Sequence, residues 1–142
     1  MDDRQLQIHL NKFNNEILEI LELDLEINDE EEHLEKSPLY DDLKTKNRFV
    51  EYTNFSENQI LGLYYIFLPE FKSMITKGSP LKLSILDHLI SLLLFYKTGY
   101  TYLELGLVIK INSITTIRNI IKRSRNALFY CLSEKWSKKN RV

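Results

Sequence analysis

The last quarter of the chain carries the side chains best suited to binding chemistry. Residues 110–142 hold nine basic side chains and one acidic, a net of +8 in a chain whose total is −1. Four of those bases, Arg118, Lys122, Arg123 and Arg125, follow closely behind the short polar residues Asn112, Ser113, Thr115, Thr116 and Asn119. Guanidinium and ammonium groups hold phosphate oxygens, while short hydroxyl and amide side chains can reach the edges of nucleobases. At about 100° per residue of helix, Thr115, Arg118, Lys122 and Arg125 share an arc of about 80°. That arc lies beside an apolar stripe of Ile114, Ile117, Ile121, Ser124, Leu128 and Leu132. Lys138, Lys139 and Arg141 add a basic tail. The chemistry implied is non-covalent grip on a polyanion.

Other chemistries find less to stand on. His9, His33 and His88 are scattered, with no metal-ligand spacing. The run Asp29-Glu30-Glu31-Glu32 clusters carboxylates, but adjacent side chains on a helix diverge around its axis, so a solvated linker or helix end is the expectation. No glycine-rich phosphate loop occurs. The single Cys131 excludes an internal disulfide and falls among apolar residues, as a buried thiol does. The sequence therefore predicts no catalytic set, no metal and no cofactor. The first residues are acidic and polar, unlike a secretory signal, and the apolar stretch Leu89–Tyr96 is too short to span a bilayer. An intracellular protein is expected, nuclear if the source is eukaryotic.

The elements that must position these residues read as helices throughout. Leu6, Leu10, Phe13, Ile17 and Ile20 form a narrow seam at helical spacing, able to pack on its own domain or on a second chain. Ser37-Pro38 starts a helix with proline at its first position. Ser56 and Gln59 form a capping box ahead of Ile60, Leu61, Leu63, Tyr64 and Phe67. Pro69 is expected to end that helix and open a short one to about Thr76. Gly78 then suits a stop, and Ser79-Pro80 a new start. The helix over about 80–97, with Leu83, Leu86, Leu89, Ile90, Leu93 and Leu94, is apolar over a wide arc and is the expected core helix. Gly99 closes it. Thr101 and Glu104 make a second capping box for a short helix over 102–109. Lys110-Ile111-Asn112-Ser113 reads as a tight turn, and a long helix runs from Ser113 to about Trp136. No stretch alternates with period two for long. The fold class is all-α: a compact helical bundle with a helix-turn-helix in the C-terminal half, about 80–136, and a long C-terminal helix.

A short helix, a tight turn and a basic helix are what a helix-turn-helix needs to place its second helix in the major groove. The stretch Leu83–Leu128 resembles the N-terminal region of Harbinger-type and related insertion-sequence DDE transposases. The likeness is densest over Thr98-Gly99-Tyr100-Thr101-Tyr102-Leu103-Glu104-Leu105-Gly106, with Gly106 at the family's small-residue position, and it extends upstream to Phe55-Ser56-Glu57-Asn58-Gln59-Ile60-Leu61. It covers about 55–132 and leaves residues 1–50 unexplained. Two positions depart from the family. Lys110 stands where a turn glycine is usual, and the apolar spacing after Ile111 is one residue longer, with Ile117 where Thr116 would be expected. The resemblance implies duplex DNA as partner, and the departures imply weak base preference. In the family the metal-holding carboxylates lie on a larger domain after this region, so the expectation here is binding without cleavage.

Charge divides the chain. Residues 1–45 hold fourteen acidic and four basic side chains, and residues 46–109 five acidic and six basic. An acidic N-terminal helix or arm, 1–36, is therefore set against a helical domain, 37–142, and could shield the basic surface in cis or between chains. Three readings remain. One is a stand-alone DNA-binding protein derived from a transposase, domesticated or accessory. Another is a protein-interaction or oligomerisation module on the same scaffold, through the seam of Leu6, Leu10, Phe13, Ile17 and Ile20 or the core helix. The third is a truncated transposase fragment.

Overall fold

The structure is a computed structural model of the chain. It describes residues 3–8, 10, 36–75 and 81–139, with side chains up to Glu134. Among the described residues every regular element is a helix: α1 (residues 3–8 and 10), α2 (Pro38–Lys46), α3 (Phe49–Thr53), α4 (Glu57–Met74), α5 (Ile85–Thr98), α6 (Tyr102–Ile109) and α7 (Ile114–Lys139). None of them is long and apolar enough to cross a membrane.

The bundle is built around α5. Its Leu89, Ile90, Leu92, Leu93 and Leu94 are all 2% exposed or less, because α2, α3, α4, α6 and α7 pack on it from different sides. Full burial of each such side chain stabilises by about 1.5–3 kcal/mol, so this helix anchors the rest. It begins at Ile85 rather than near 80. Ser84 is extended and its hydroxyl accepts the Asp87 N–H at 3.0 Å, which sets the true start. Leu83 and Leu86, expected in the core, are only half-buried. The Gly78 stop and the Ser79-Pro80 start lie outside the described residues.

The joint between α2 and α5 is polar and buried. Ser37 does not cap its own helix. Instead the Asp87 carboxylate accepts the backbone N–H groups of Leu39 and Tyr40, both at 3.0 Å, capping α2 from a different helix. The Ser37 and Ser84 hydroxyls meet at 2.7 Å. Burial outweighs those two N–H bonds and pushes the Asp87 carboxyl up to about 6. The neighbouring His88 is also buried, with Nδ1 2.8 Å from the Ser84 carbonyl and its ring 4.7 Å from that of Phe71. A carbonyl only accepts, so Nδ1 carries the proton. Burial holds this imidazole below its ordinary pKa.

Pro69 does not end α4. The capping box of Ser56 and Gln59 starts the helix as expected, but it continues through the proline to Met74. A proline inside a helix removes one hydrogen bond and costs about 3 kcal/mol. Phe67 and Phe71 flank it, both fully buried with rings 5.3 Å apart, and their burial offsets that cost. Pro69 itself faces outward, and so does Tyr65, whose carbonyl loses its intrahelical partner to the missing N–H. Cys131 of α7 is buried, as expected, and its thiol donates to the Ile66 carbonyl at 3.1 Å.

The N-terminal segment is docked on the bundle. Leu6 and Leu10, 1% and 3% exposed, join the common core, so the first two seam residues are spent within the chain. Phe13, Ile17 and Ile20 lie outside the described residues, as does the Asn28–Glu32 run.

Candidate nucleic-acid interface

α6, the turn and α7 are held together by local chemistry. Thr101 and Glu104 close the predicted capping box, and α6 spans the predicted residues. Lys110 ends it in the left-handed conformation, φ 60° and ψ 43°, so a lysine occupies the shape that the turn glycine would supply. For an L-residue that conformation costs roughly 1 kcal/mol. It is retained because the N–H groups of Lys110 and Ile111 both reach the Gly106 carbonyl, the latter at 3.0 Å. Ser113 then caps α7, its hydroxyl accepting the Thr116 N–H at 3.2 Å. Gly106 sits where the two helices come closest. A β-carbon there would lie 2.6 Å from both the Ile111 carbonyl oxygen and Ile117 Cδ1. The absence of a side chain at position 106 thus has a physical reason here.

The inward stripe of α7 is right in part. Ile117, Ile121, Ser124, Leu128 and Leu132 are buried, and Ile120, Ala127 and Cys131 widen the face. Ile114 is not: it is 45% exposed. Ile111 in the turn packs against the core instead. Ser124 is buried, and its hydroxyl has no hydrogen-bond partner among the described residues, a local cost.

The expected DNA-contacting residues divide between two flanks. Arg118 and Lys122 are exposed and Arg125 is half-exposed, on one arc with the exposed Thr115. Asn112 and Ser113 lead into that arc from the turn, both exposed, and the exposed Asn119 sits about 60° beyond Lys122. Arg123 lies about 140° from Arg118 and about 160° from Arg125. It is half-buried, near enough to His88 that its charge contributes to lowering that imidazole's pKa, after burial. Thr116, also half-buried, shares the Arg123 flank. These two therefore do not join the arc. The tail residues Lys138 and Lys139 have no described side chains, and Arg141 lies outside the described residues.

The arc rests on aromatic rings that the basic pattern alone does not reveal. The Arg118 guanidinium lies 5.9 Å from the centre of the Tyr102 ring, and Tyr102 stacks on Phe95 at 5.6 Å with the planes 6° apart. Such a stack fixes the guanidinium while leaving its donors free. Further along, Arg125 donates to the Asp3 carboxylate of α1 at 3.1 Å, and the Tyr96 hydroxyl donates to the same oxygen at 2.9 Å. Burial, and then the bond to Asp3, raises the Tyr96 phenol pKa, so it stays a donor at ordinary pH. Tyr96, Tyr100 and Tyr102 just ahead of the basic helix were the available signal for this aromatic layer.

The same motif also exposes apolar side chains. Leu105 and Ile109 of α6 are buried, but Leu103, Leu107 and Val108 are 64%, 76% and 41% exposed. With Ile114 they give the outer side of the helix-turn-helix an apolar character.

No family model matches the chain, and no curated protein or solved structure matches it.

Proposed function

We propose that this chain is a non-catalytic, transposase-like helix-turn-helix protein that binds duplex DNA through the exposed arc of α7. One observation carries the reading. Thr115, Arg118 and Lys122 project together from the first turns of a helix that follows a tight left-handed turn, and α7 has no acidic residue before Glu134. Phosphate contacts come from Arg118, Lys122 and Arg125, and base edges are approached by Asn112, Ser113, Thr115 and Asn119. If the source is eukaryotic, the nucleus is where this binding takes place. The test is a titration with labelled duplex DNA at two salt concentrations. Arg118→Ala with Lys122→Ala should weaken binding to all sequences alike and reduce the salt slope by about two, one per lost phosphate contact. Unchanged affinity at low salt in the folded double variant would remove α7 as the binding element.

A second reading has its own support. Leu103, Leu107, Val108 and Ile114 are all exposed apolar side chains on the same motif, and exposed apolar area suits contact with another protein. Under that reading Leu107→Ser would lower the mass in solution or abolish partner capture while leaving the melting point nearly unchanged.

A further inference from the structure

We propose that the Tyr96 hydroxyl and the Arg125 guanidinium form a DNA-phosphate clamp that the chain's own Asp3 occupies, so that α1 is a built-in competitor for nucleic acid. The proposal rests on the DNA-binding reading and adds a contact and its regulation. Asp3 places one carboxylate oxygen 2.9 Å from Tyr96 Oη and 3.1 Å from an Arg125 nitrogen, with its second oxygen 3.4 Å from that nitrogen. Two converging donors, one neutral and one charged, are what a phosphate oxygen would meet there. The same arc continues through Lys122 to Arg118, so the clamp lies at one end of a row of bases.

The strength of the plug fits displacement. The Asp3 and Arg125 side chains are about half and two-fifths exposed, and an exposed ion pair contributes little. Leu6 and Leu10 hold α1 in place by burial, which keeps the carboxylate close to the clamp. A polyanion that engages Arg118 and Lys122 gains the third site only by displacing Asp3. The displaced complex holds the same phosphates as one lacking Asp3, so the plug lowers affinity by the strength of its own contacts.

The experiment titrates the full chain with labelled duplex DNA at two salt concentrations. Asp3→Asn should bind about two- to fivefold tighter than the parent, with the salt slope little changed because both complexes hold the same phosphates. Arg125→Ala should erase that gain, so that Asp3→Asn changes nothing in its background. Asp42→Asn, an equal change of net charge on α2, controls for long-range charge and should leave affinity within error of the parent. Melting curves of each variant confirm that α1 and the bundle remain folded. If the parent binds and Asp3→Asn binds no tighter, or if Asp42→Asn gives the same gain, the clamp is refuted while the DNA-binding reading stands. If neither the parent nor Asp3→Asn binds at low salt, that reading fails and the clamp with it. Binding by Asp3→Asn alone would support both.

Discussion

Gly106 is the position where the helix-turn-helix has the least room, and Gly106→Ala measures it. A β-carbon there would meet the Ile111 carbonyl oxygen and Ile117 Cδ1, each at 2.6 Å. Ordinary carbon contacts lie near 3.5–4.0 Å, so about an ångström of separation must be found twice. The isoleucine methyl can rotate at some cost in packing. The Ile111 carbonyl belongs to a turn residue whose N–H is bonded to the Gly106 carbonyl at 3.0 Å, so withdrawing it strains that bond. Overpacking costs about 1–3 kcal/mol, and loss of the turn bond about 1 kcal/mol. The better helix propensity of alanine returns about 1 kcal/mol. The net is a loss of about 1–3 kcal/mol, or roughly 3–12 °C in Tm for a chain of this length. Differential scanning calorimetry reads the first quantity. Amide exchange at Lys110 and Ile111 reads the local one and should rise together with it. Gly99→Ala is the comparator: its φ of 68° strains any side chain, but nothing lies within 4 Å, so it should lose only about 1 kcal/mol. A Gly106→Ala protein that melts at or above the parent temperature would refute the close approach of α6 to α7.

Three other outcomes follow from the same geometry. Lys110→Gly should stabilise by a few tenths to about 1 kcal/mol, because glycine carries no left-handed penalty at φ 60°; a lower Tm would mean that the lysine side chain holds the turn. Ile117→Asp should unfold the C-terminal half by burying an unpaired charge, whereas Ile114→Asp, at 45% exposure, should shift Tm by no more than a few degrees. Asp87 and His88 give opposed pH dependences. Asp87, pushed up to about 6 from 3.8, keeps its proton longer when folded, so its contribution to stability falls as pH rises from about 3.8 to about 6, by roughly 3 kcal/mol in all. His88, held below 6.5, refuses a proton that the unfolded chain accepts, so stability is lost as pH falls below 6.5. In His88→Gln the second slope is gone, and Tm measured from pH 6 down to pH 4 should rise; a continued fall would contradict the assignment.

How much of this was legible in the sequence depended on how local the deciding interaction was. The two capping boxes close over three residues, and Gly99 and Lys110 end their helices with backbone bonds inside one turn. Patterns of that kind are readable without a fold. Pro69 was misread because what overrides it, the burial of Phe67 and Phe71, is tertiary. The start of α5 was misplaced because Ser84 is selected by partners in other parts of the chain as well as by its own helix, with Ser37 forty-seven residues away. Ile114 has the right spacing for the stripe, but spacing says nothing about which neighbours cover each turn. For the candidate site, the basic arc was legible from helical phase, while Arg123 and Thr116 had been grouped with it by proximity in sequence alone. The contact of Asp3 with Arg125 joins residues 122 apart and has no local signature.

Apolar and basic side chains adjoin on α7, and this bears on how the two functional readings can be told apart. By helical phase Ile114 lies about 40° from Arg118 on α7, so this exposed apolar side chain borders the basic arc. A partner seated on either surface would crowd the other, and loss of binding in a single variant near that border would not identify which face was used. Salt separates them, because phosphate contacts weaken steeply as counterions are added, whereas apolar burial does not and is strengthened by excluded anions such as sulfate. Affinity that collapses with added salt and depends on Arg118 and Lys122 belongs to the arc. Self-association or partner binding that survives the same salt and depends on Leu103 and Leu107 belongs to the patch.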